Sequence, residues 1–198
     1  MREESNDKQS RLLDNAFKLF TQKGVKDTSI QEIVDGADVA KGTFYLYFKD
    51  KYEIRDVLIA QKSKKLFNNA LKALKKTETK GLSNEVIFIV NHVIDALAKN
   101  TLLLKFISKN LSWGVYNETV NKIYENEANE ENGVRSLFLK GIKDNNIQLK
   151  NPDVTLFMII ELVSSTCFNS ILYKNPLPID EFKPYLFSTI EKLIQNNA

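Results

Sequence analysis

Apolar side chains recur every three or four positions along most of this chain, which is the spacing of one face of an α-helix. Nine segments show this pattern, and none alternates as a strand does; the predicted helices span 8–23, about 30–37, about 40–46, about 51–75, 84–98, about 101–111, about 115–145, 153–173 and 180–195. Gly24 follows the first segment, where a glycine commonly ends a helix. The pattern therefore predicts an all-α fold of nine helices.

The composition supports this fold class. The 198 residues include only 7 Gly and 4 Pro, which is about half the usual share of these two residue types. A β-sandwich or barrel needs turn residues every ~8–12 positions, and the sequence lacks them. The hydrophobic content of 43% is enough to form a core, so a disordered chain is excluded as well.

Residues that carry chemistry are few. The chain has one histidine, His92, and one cysteine, Cys167, which removes most metal-binding and acid–base sets. It has no glycine-rich phosphate motif, no C-x-x-C and no G-x-S-x-G. We therefore expect no cofactor and no metal, and a protein that is not an enzyme. A small helical enzyme or ligand carrier is the disfavoured alternative.

The sequence also bears on location. The N-terminal residues lack the apolar region of a signal peptide, and the longest apolar run, 156–163, is too short for a membrane span and contains Glu161. A single cysteine fits a reducing compartment. We expect a cytoplasmic protein that does not associate with membranes.

Residues 28–48 contain two short helices joined by a tight turn, which is the helix-turn-helix pattern. Ser29 and Glu32 have the spacing of a capping box at the start of the first helix. Asp38 tolerates the left-handed backbone that the turn requires. The small side chain of Ala37 lies where the two helices are expected to cross.

The second of these helices presents polar groups on one side. Phe44 and Phe48 are predicted to point inward, and the exposed side carries cationic and hydroxyl-bearing residues: Lys41, Thr43, Tyr45 and Tyr47. Such groups beside the N–H groups of a helix N-terminus suit the phosphates and base edges of DNA. The net charge of only +3 and the nearby residues Asp35 and Asp50 indicate a narrow zone of phosphate contacts.

Residues 16–54 resemble the DNA-binding region of the TetR family of bacterial repressors. The matching positions are Ala16, Phe20, Gly24, Thr28, Ile30, Ile33, Ala37, Val39, Lys41, Gly42, Thr43, Tyr45, Phe48, Lys51 and Glu53. Two positions depart from the family pattern: Asp38 stands where glycine is usual, and Ala40 stands where serine or threonine is usual. The second departure removes one potential phosphate donor.

The resemblance implies a set of DNA contacts: Thr28, Ser29, Lys41, Gly42, Thr43, Tyr45, Tyr47 and Lys51. It also implies a TetR-like architecture, with a helix-turn-helix domain at 1–50 and a ligand-binding and dimerisation domain at 51–198, joined by the helix 51–75. The implied function is a homodimeric repressor that binds a palindromic operator in double-stranded DNA and is released by an inducer. A constitutive DNA-binding regulator without a ligand pocket is the alternative.

Aromatic residues concentrate in the C-terminal part. Each of them, taken alone, is predicted to be a core residue. Taken together with His92 and Glu161, they are predicted to form the wall of a ligand pocket; the candidate wall is Phe88, His92, Phe106, Trp113, Tyr116, Phe138, Phe157 and Glu161. The set lacks a cluster of basic residues that could bind phosphates, so a small lipophilic effector is expected. Glu161 is expected to contact either the ligand or a dimer partner. The last two helices are expected to form a four-helix bundle with a second copy, centred on Phe168 and Ile190.

Overall fold

The computed structural model describes residues 2–112 and 133–195. Within these ranges the chain forms nine α-helices and no strand, so the all-α fold class is confirmed; the helices are α1 (Arg2–Lys23), α2 (Ile30–Gly36), α3 (Lys41–Tyr47), α4 (Lys51–Leu74), α5 (Leu82–Lys99), α6 (Thr101–Ile107), α7 (Val134–Asp144), α8 (Pro152–Tyr173) and α9 (Ile179–Gln195). A short 3-10 helix, Ser108–Asn110, follows α6. The predicted segment at 115–145 coincides with α7 only in its second part, and its first part lies outside the described residues.

The chain divides into two compact units, residues 1–61 and residues 62–198. The division falls inside α4, whereas a boundary before residue 51 was expected from the sequence. The first half of α4 belongs to the N-terminal unit, where its apolar residues Ile54, Val57 and Leu58 are buried. Because α4 is a single unbroken helix, the same element contributes to both units.

The N-terminal unit is a three-helix core with the start of α4. Large apolar side chains from each helix are almost fully excluded from solvent: Leu12, Ala16 and Phe20 from α1, Ile33 and Val34 from α2, Phe44 from α3 and Ile54 from α4. Since α2 and α3 have only seven residues each, neither is long enough to be stable alone in water. Their apolar faces must be buried against α1 for them to form.

The C-terminal unit is built around α5, α8 and α9, whose apolar residues form one core with the second half of α4. Asn100 ends α5 and also begins α6: its side chain accepts a hydrogen bond from the backbone N–H of Leu103 at 3.0 Å. The two helices are bent by 114° at this point. The bend allows Leu104 and Ile107 of α6 to enter the same core.

The helix α8 is apolar on nearly all sides. Among the described residues, it is the one unbent helix that is long and apolar enough to cross a membrane. Of its most apolar 18-residue stretch, 39% is buried inside the protein. Its packing against α5, α7 and α9 is that of a core helix in a helical bundle. Asn151 caps its start by accepting from the N–H of Val154, and Pro152 occupies its first position, where the missing N–H has no cost.

Candidate functional site

The turn between α2 and α3 fixes the direction of the second helix. Asp38 has φ +53°, as expected from the sequence. Its N–H donates to the carbonyl of Asp35 at 3.2 Å, and the N–H of Val39 donates to the carbonyl of Val34 at 3.1 Å. This pair of bonds is the Schellman arrangement, which satisfies the last carbonyls of α2. An aspartate here supplies the left-handed residue that glycine supplies in most such turns.

The helices α1 and α2 approach closely at Gly36. The side-chain amide of Asn15 on α1 donates to the carbonyls of Glu32 at 3.0 Å and Ile33 at 2.8 Å. A methyl group at Gly36 would lie only 2.7 Å from the Cγ of Asn15, closer than van der Waals contact allows. Glycine is therefore needed at this position for the amide to reach α2.

The start of α2 is fixed by the predicted capping box. The N–H of Glu32 donates to the Oγ of Ser29 at 3.2 Å, and the N–H of Ser29 donates to the carboxylate of Glu32 at 2.9 Å. Lys23 also donates to this carboxylate at 2.5 Å. The bond from Lys23, followed by those from the backbone and hydroxyl of Ser29, lowers the pKa of Glu32 from 4.5 to about 2.

Two residues with predicted phosphate contacts, Thr28 and Lys51, bond to backbone carbonyls of this unit. The Thr28 side chain is buried, and its hydroxyl donates to the carbonyl of Gly24 at 2.7 Å. The Lys51 ammonium donates to the carbonyls of Lys26 at 2.7 Å and Thr28 at 2.9 Å. We therefore correct the interpretation of the Thr28 side chain, because a hydroxyl buried against its own backbone is not accessible to a phosphate. Lys51 joins the start of α4 to the loop before α2.

The outer side of α3 carries the other predicted contacts. Lys41 and Gly42 are exposed, Thr43 and Tyr47 are half-buried, and Tyr45 is 54% exposed. A Cβ added at Gly42 would have no atom within 4 Å, so the surface is open at this point. The predicted inward residues Phe44 and Phe48 are buried, with ring centroids 5.7 Å apart.

Sequence reasoning missed three residues that fix α1 against α2 and against the turn before α3. Asn15 and Gly36 lie 21 positions apart, and no local pattern indicates their contact. Arg11 donates to the carbonyl of Asp38 at 3.4 Å, which ties α1 to the turn. A polar residue on the inner face of an amphipathic helix is the signal that could have identified Asn15, since buried amides require hydrogen-bond partners.

The C-terminal unit contains a small cavity of about 30 Å³. Its described wall is entirely apolar and consists of Phe67, Val86, Ile89, Val90, Val93, Leu111, Val134, Leu137, Phe138, Leu156, Ile159, Ile160 and Val163. Of the described residues that were predicted to form a ligand-pocket wall, Phe138 alone lines this cavity. Trp113 and Tyr116 lie outside the described residues.

The other predicted wall residues have different surroundings. Phe88 and His92 are half-buried and stack on each other with centroids 6.4 Å apart, whereas the cavity is lined by Ile89 and Val93 of the same helix. Phe106 is half-buried, and Phe157 is 45% exposed. Glu161 accepts a hydrogen bond from the hydroxyl of Ser112. None of these five residues lines the described cavity, because residue type does not tell which face of a helix turns toward it, and their place in a ligand pocket stays a prediction.

The two predicted interface residues differ in accessibility. Ile190 is fully buried in the core of its own chain, so it cannot contact a second copy, and we correct its interpretation. Phe168 is partly buried against this core, and its ring meets that of Tyr173 edge to face at 6.0 Å. Large apolar side chains that are exposed on α8 are Val154, Phe157, Met158 and Tyr173.

Neither a metal site nor a reactive thiol is found among the described residues. No group of three or more His, Cys, Asp or Glu side chains in these ranges could hold an ion. Cys167 is buried, and this burial raises the pKa of its thiol to about 12. The thiolate is the reactive form, and a raised pKa keeps this thiol protonated. Cys167 therefore acts as a small core residue.

Comparison with known proteins agrees with this geometry. Residues 12–58 match the family described as "Bacterial regulatory proteins, tetR family". The HTH-type transcriptional regulator YhgD of Bacillus subtilis (strain 168) is 26% identical over 173 residues, which cover 83% of this chain and 85% of YhgD. These matches define a helix-turn-helix transcriptional regulator that binds DNA. Residues 12–58 are therefore the DNA-binding region of a TetR-family transcriptional regulator.

Solved structures share the fold over the full length. The transcriptional regulator FadR from Bacillus subtilis, solved with stearoyl-CoA, superposes with a TM-score of 0.63 at 17% identity and covers 96% of this chain and 99% of its own. RolR, solved with resorcinol, superposes with a TM-score of 0.67 at 14% identity and covers 100% of this chain and 97% of its own. At these identities the similarity establishes the fold, including that of the C-terminal unit.

The contact between Asn15 and Gly36 predicts that the effect of Gly36→Ala on the free energy of unfolding changes sign when Asn15 is also replaced. Gly36→Ala displaces the Asn15 amide from two carbonyls and destabilises the protein by about 1 kcal/mol. In an Asn15→Ala background the same change stabilises by about 0.5–1 kcal/mol, because alanine favours the helical backbone. Urea unfolding of the wild type, the two single variants and the double variant measures these changes in the free energy of unfolding. Gly42→Ala is the control and should stabilise in both backgrounds; a destabilising Gly36→Ala in the Asn15→Ala background contradicts the contact.

The capping box gives a pH prediction. The pKa of Glu32 is lowered to about 2 in the folded protein, against 4.5 ordinarily, so its stabilising effect is complete above pH 4.5 and is lost as the pH falls toward 2. The free energy of unfolding of the wild type should therefore fall more steeply across this window than that of Glu32→Gln. Urea unfolding between pH 2 and 5 measures both slopes, with Glu181→Gln as the control. Parallel slopes for the wild type and Glu32→Gln would refute this account.

Proposed function

We propose that this protein is a homodimeric repressor that binds a palindromic operator in double-stranded DNA, releases it when a small lipophilic effector binds, and acts in the cytoplasm. The observation that carries the DNA-binding part is the outer side of α3. It combines the exposed Lys41 and Tyr45 with the open surface at Gly42, so a DNA backbone can approach the helix closely. The half-sites should lie about one helical turn apart, roughly 34–36 Å.

The homodimer is supported by the outer face of α8. Val154 is 50% exposed and Met158 is 48% exposed, one turn apart on the same side of the helix, while the opposite side is buried in the core. A helix that is apolar on both sides requires burial on both sides. A second copy of α8 and α9 would cover this face in a four-helix bundle.

The lipophilic effector is supported by the wall of the cavity, whose described residues are all apolar. FadR was solved with stearoyl-CoA and RolR with resorcinol, so this fold accommodates both an acyl compound and a small aromatic one. The volume of about 30 Å³ is well below the ~300 Å³ of an ordinary ligand pocket. An acyl chain would therefore have to displace wall side chains such as Phe67 and Phe138.

The position of Phe67 suggests how binding reaches the DNA. Phe67 lines the cavity and lies on α4, which begins at Lys51. Lys51 is bonded to the backbone at the start of the helix-turn-helix. A ligand that displaces Phe67 would shift α4 and change the distance between the two recognition helices of a dimer.

The small size of the cavity favours a second candidate function. A constitutive DNA-binding regulator would need no ligand pocket, and a void of about 30 Å³ is compatible with an ordinary packing defect in a core. The effector experiment below distinguishes the two candidates, because a constitutive regulator remains on its operator with every lipophile.

The DNA-binding surface is tested with operator fragments selected from a random duplex library. Tyr45→Phe and Lys41→Ala should each weaken binding to all selected sequences, and Lys41→Ala should reduce the salt dependence of log K by roughly one unit. Lys51→Ala should weaken binding and also lower the free energy of unfolding, because it releases two backbone carbonyls. Fluorescence anisotropy measures affinity, with Tyr185→Phe as the matched control on α9. Unchanged affinity in both α3 variants would exclude this surface.

The dimer is tested by sedimentation. At micromolar concentration the wild type should sediment near twice 22.7 kDa, since an obligate interface of this type buries more than about 2,000 Å². Met158→Glu places a charge on the apolar face of α8 and should give a monomer. Leu102→Glu, at a residue 55% exposed on α6, should remain dimeric. A wild-type monomer, or a dimeric Met158→Glu, would rule out this interface.

The effector is tested by release of bound DNA. Stearoyl-CoA should release the operator, whereas coenzyme A without an acyl chain should not, because the described wall of the cavity contains apolar residues alone and offers no partner for phosphates. Val163→Phe fills the cavity and should retain DNA binding while losing the response. Leu102→Phe provides the exposed control and should respond as the wild type does. Release by coenzyme A alone, or an unaltered response in Val163→Phe, would contradict this binding site.

A further inference from the structure

Leu46 has the largest exposed fraction of the large apolar side chains in the described residues. It is 80% exposed, although it lies between Phe44 and Phe48, which are buried in the core of the N-terminal unit. A single exposed leucine is common on protein surfaces. This one is distinctive because it belongs to the seven-residue helix α3, on which the proposed DNA contact depends.

The helix geometry places Leu46 at the centre of the outer face of α3. Two positions of an α-helix correspond to about 200° of rotation, so Leu46 lies on the side opposite Phe44. Gly42 lies one turn earlier on the same side, and helical side chains lean toward the N-terminus. The Leu46 side chain therefore extends over the open surface that Gly42 leaves.

The chemistry of leucine restricts what it can recognise in a major groove. It has no hydrogen-bonding group, so neither phosphates nor the polar edges of bases offer it a favourable partner. The apolar group on the base edges of this groove is the C5-methyl group of thymine.

We propose that Leu46 determines part of the operator sequence by contacting the methyl group of one thymine in each half-site. This inference rests on the proposed DNA-binding function and adds a base-reading residue to it. The adjacent Gly42 permits the approach, because a side chain at that position would occupy the space between Leu46 and the groove.

The experiment uses the full chain and the operator duplex that it selects from a random library. Each thymine is replaced in turn by deoxyuridine, which lacks only the C5-methyl group, in one half-site and then in both. For the wild type, one position per half-site should lose about four-fold in affinity, the effect of one buried methyl group. Leu46→Ala should bind the thymine and uracil duplexes equally at that position. Leu102→Ala, at an exposed leucine outside the N-terminal unit, should discriminate as the wild type does.

The outcomes separate this inference from the function on which it rests. If uracil substitution has no effect on the wild type at any position, or an equal effect on Leu46→Ala, then Leu46 does not read a thymine. If Leu46→Ala alters the sedimentation of the protein but not its thymine preference, the residue contacts another protein copy, and the inference is overturned. If no duplex is selected at all, the DNA-binding proposal itself fails.

Discussion

The placement of α3 depends on the close contact of α1 with α2 at Gly36. Only a residue without a side chain allows the Asn15 amide to bond two carbonyls of α2. With α2 fixed, the left-handed turn at Asp38 sets the direction of α3, and burial of Phe44 sets its rotation. A helix of seven residues has no stability of its own, so the surface that α3 presents to solvent depends on these neighbours.

Polar residues near this surface have two different roles that residue type does not distinguish. The ammonium of Lys51 and the hydroxyl of Thr28 bond to backbone carbonyls, and thereby hold the loop before α2 against the start of α4. Lys41 and Tyr45 extend into solvent. The family pattern contains all four residues and does not distinguish the two roles. Only the tertiary structure shows which groups support the site and which remain available to a ligand.

The helices and the helix-turn-helix could be predicted from sequence because their signals are local. Periodic apolar positions, the Ser29–Glu32 spacing and the left-handed tolerance of Asp38 all lie within a few residues of the feature they determine. The cavity could not be predicted in this way. On α5 both faces carry apolar groups, and His92 and Val93 differ in their surroundings only because of the helices that pack beside them. The same limitation explains Ile190, which faces its own core.

Each of the two units is stabilised internally by interactions of a different kind, and this difference bears on how each can change shape. Directional hydrogen bonds at Asn15, Ser29 and Lys51 fix the N-terminal unit, so a displacement there breaks bonds whose loss leaves carbonyls less well satisfied. The described wall of the cavity contains apolar side chains alone, and their contacts are non-directional. Separating these side chains costs dispersion contacts that an apolar ligand restores on entry. The core of the C-terminal unit can therefore rearrange at a lower cost than the hydrogen-bonded N-terminal unit.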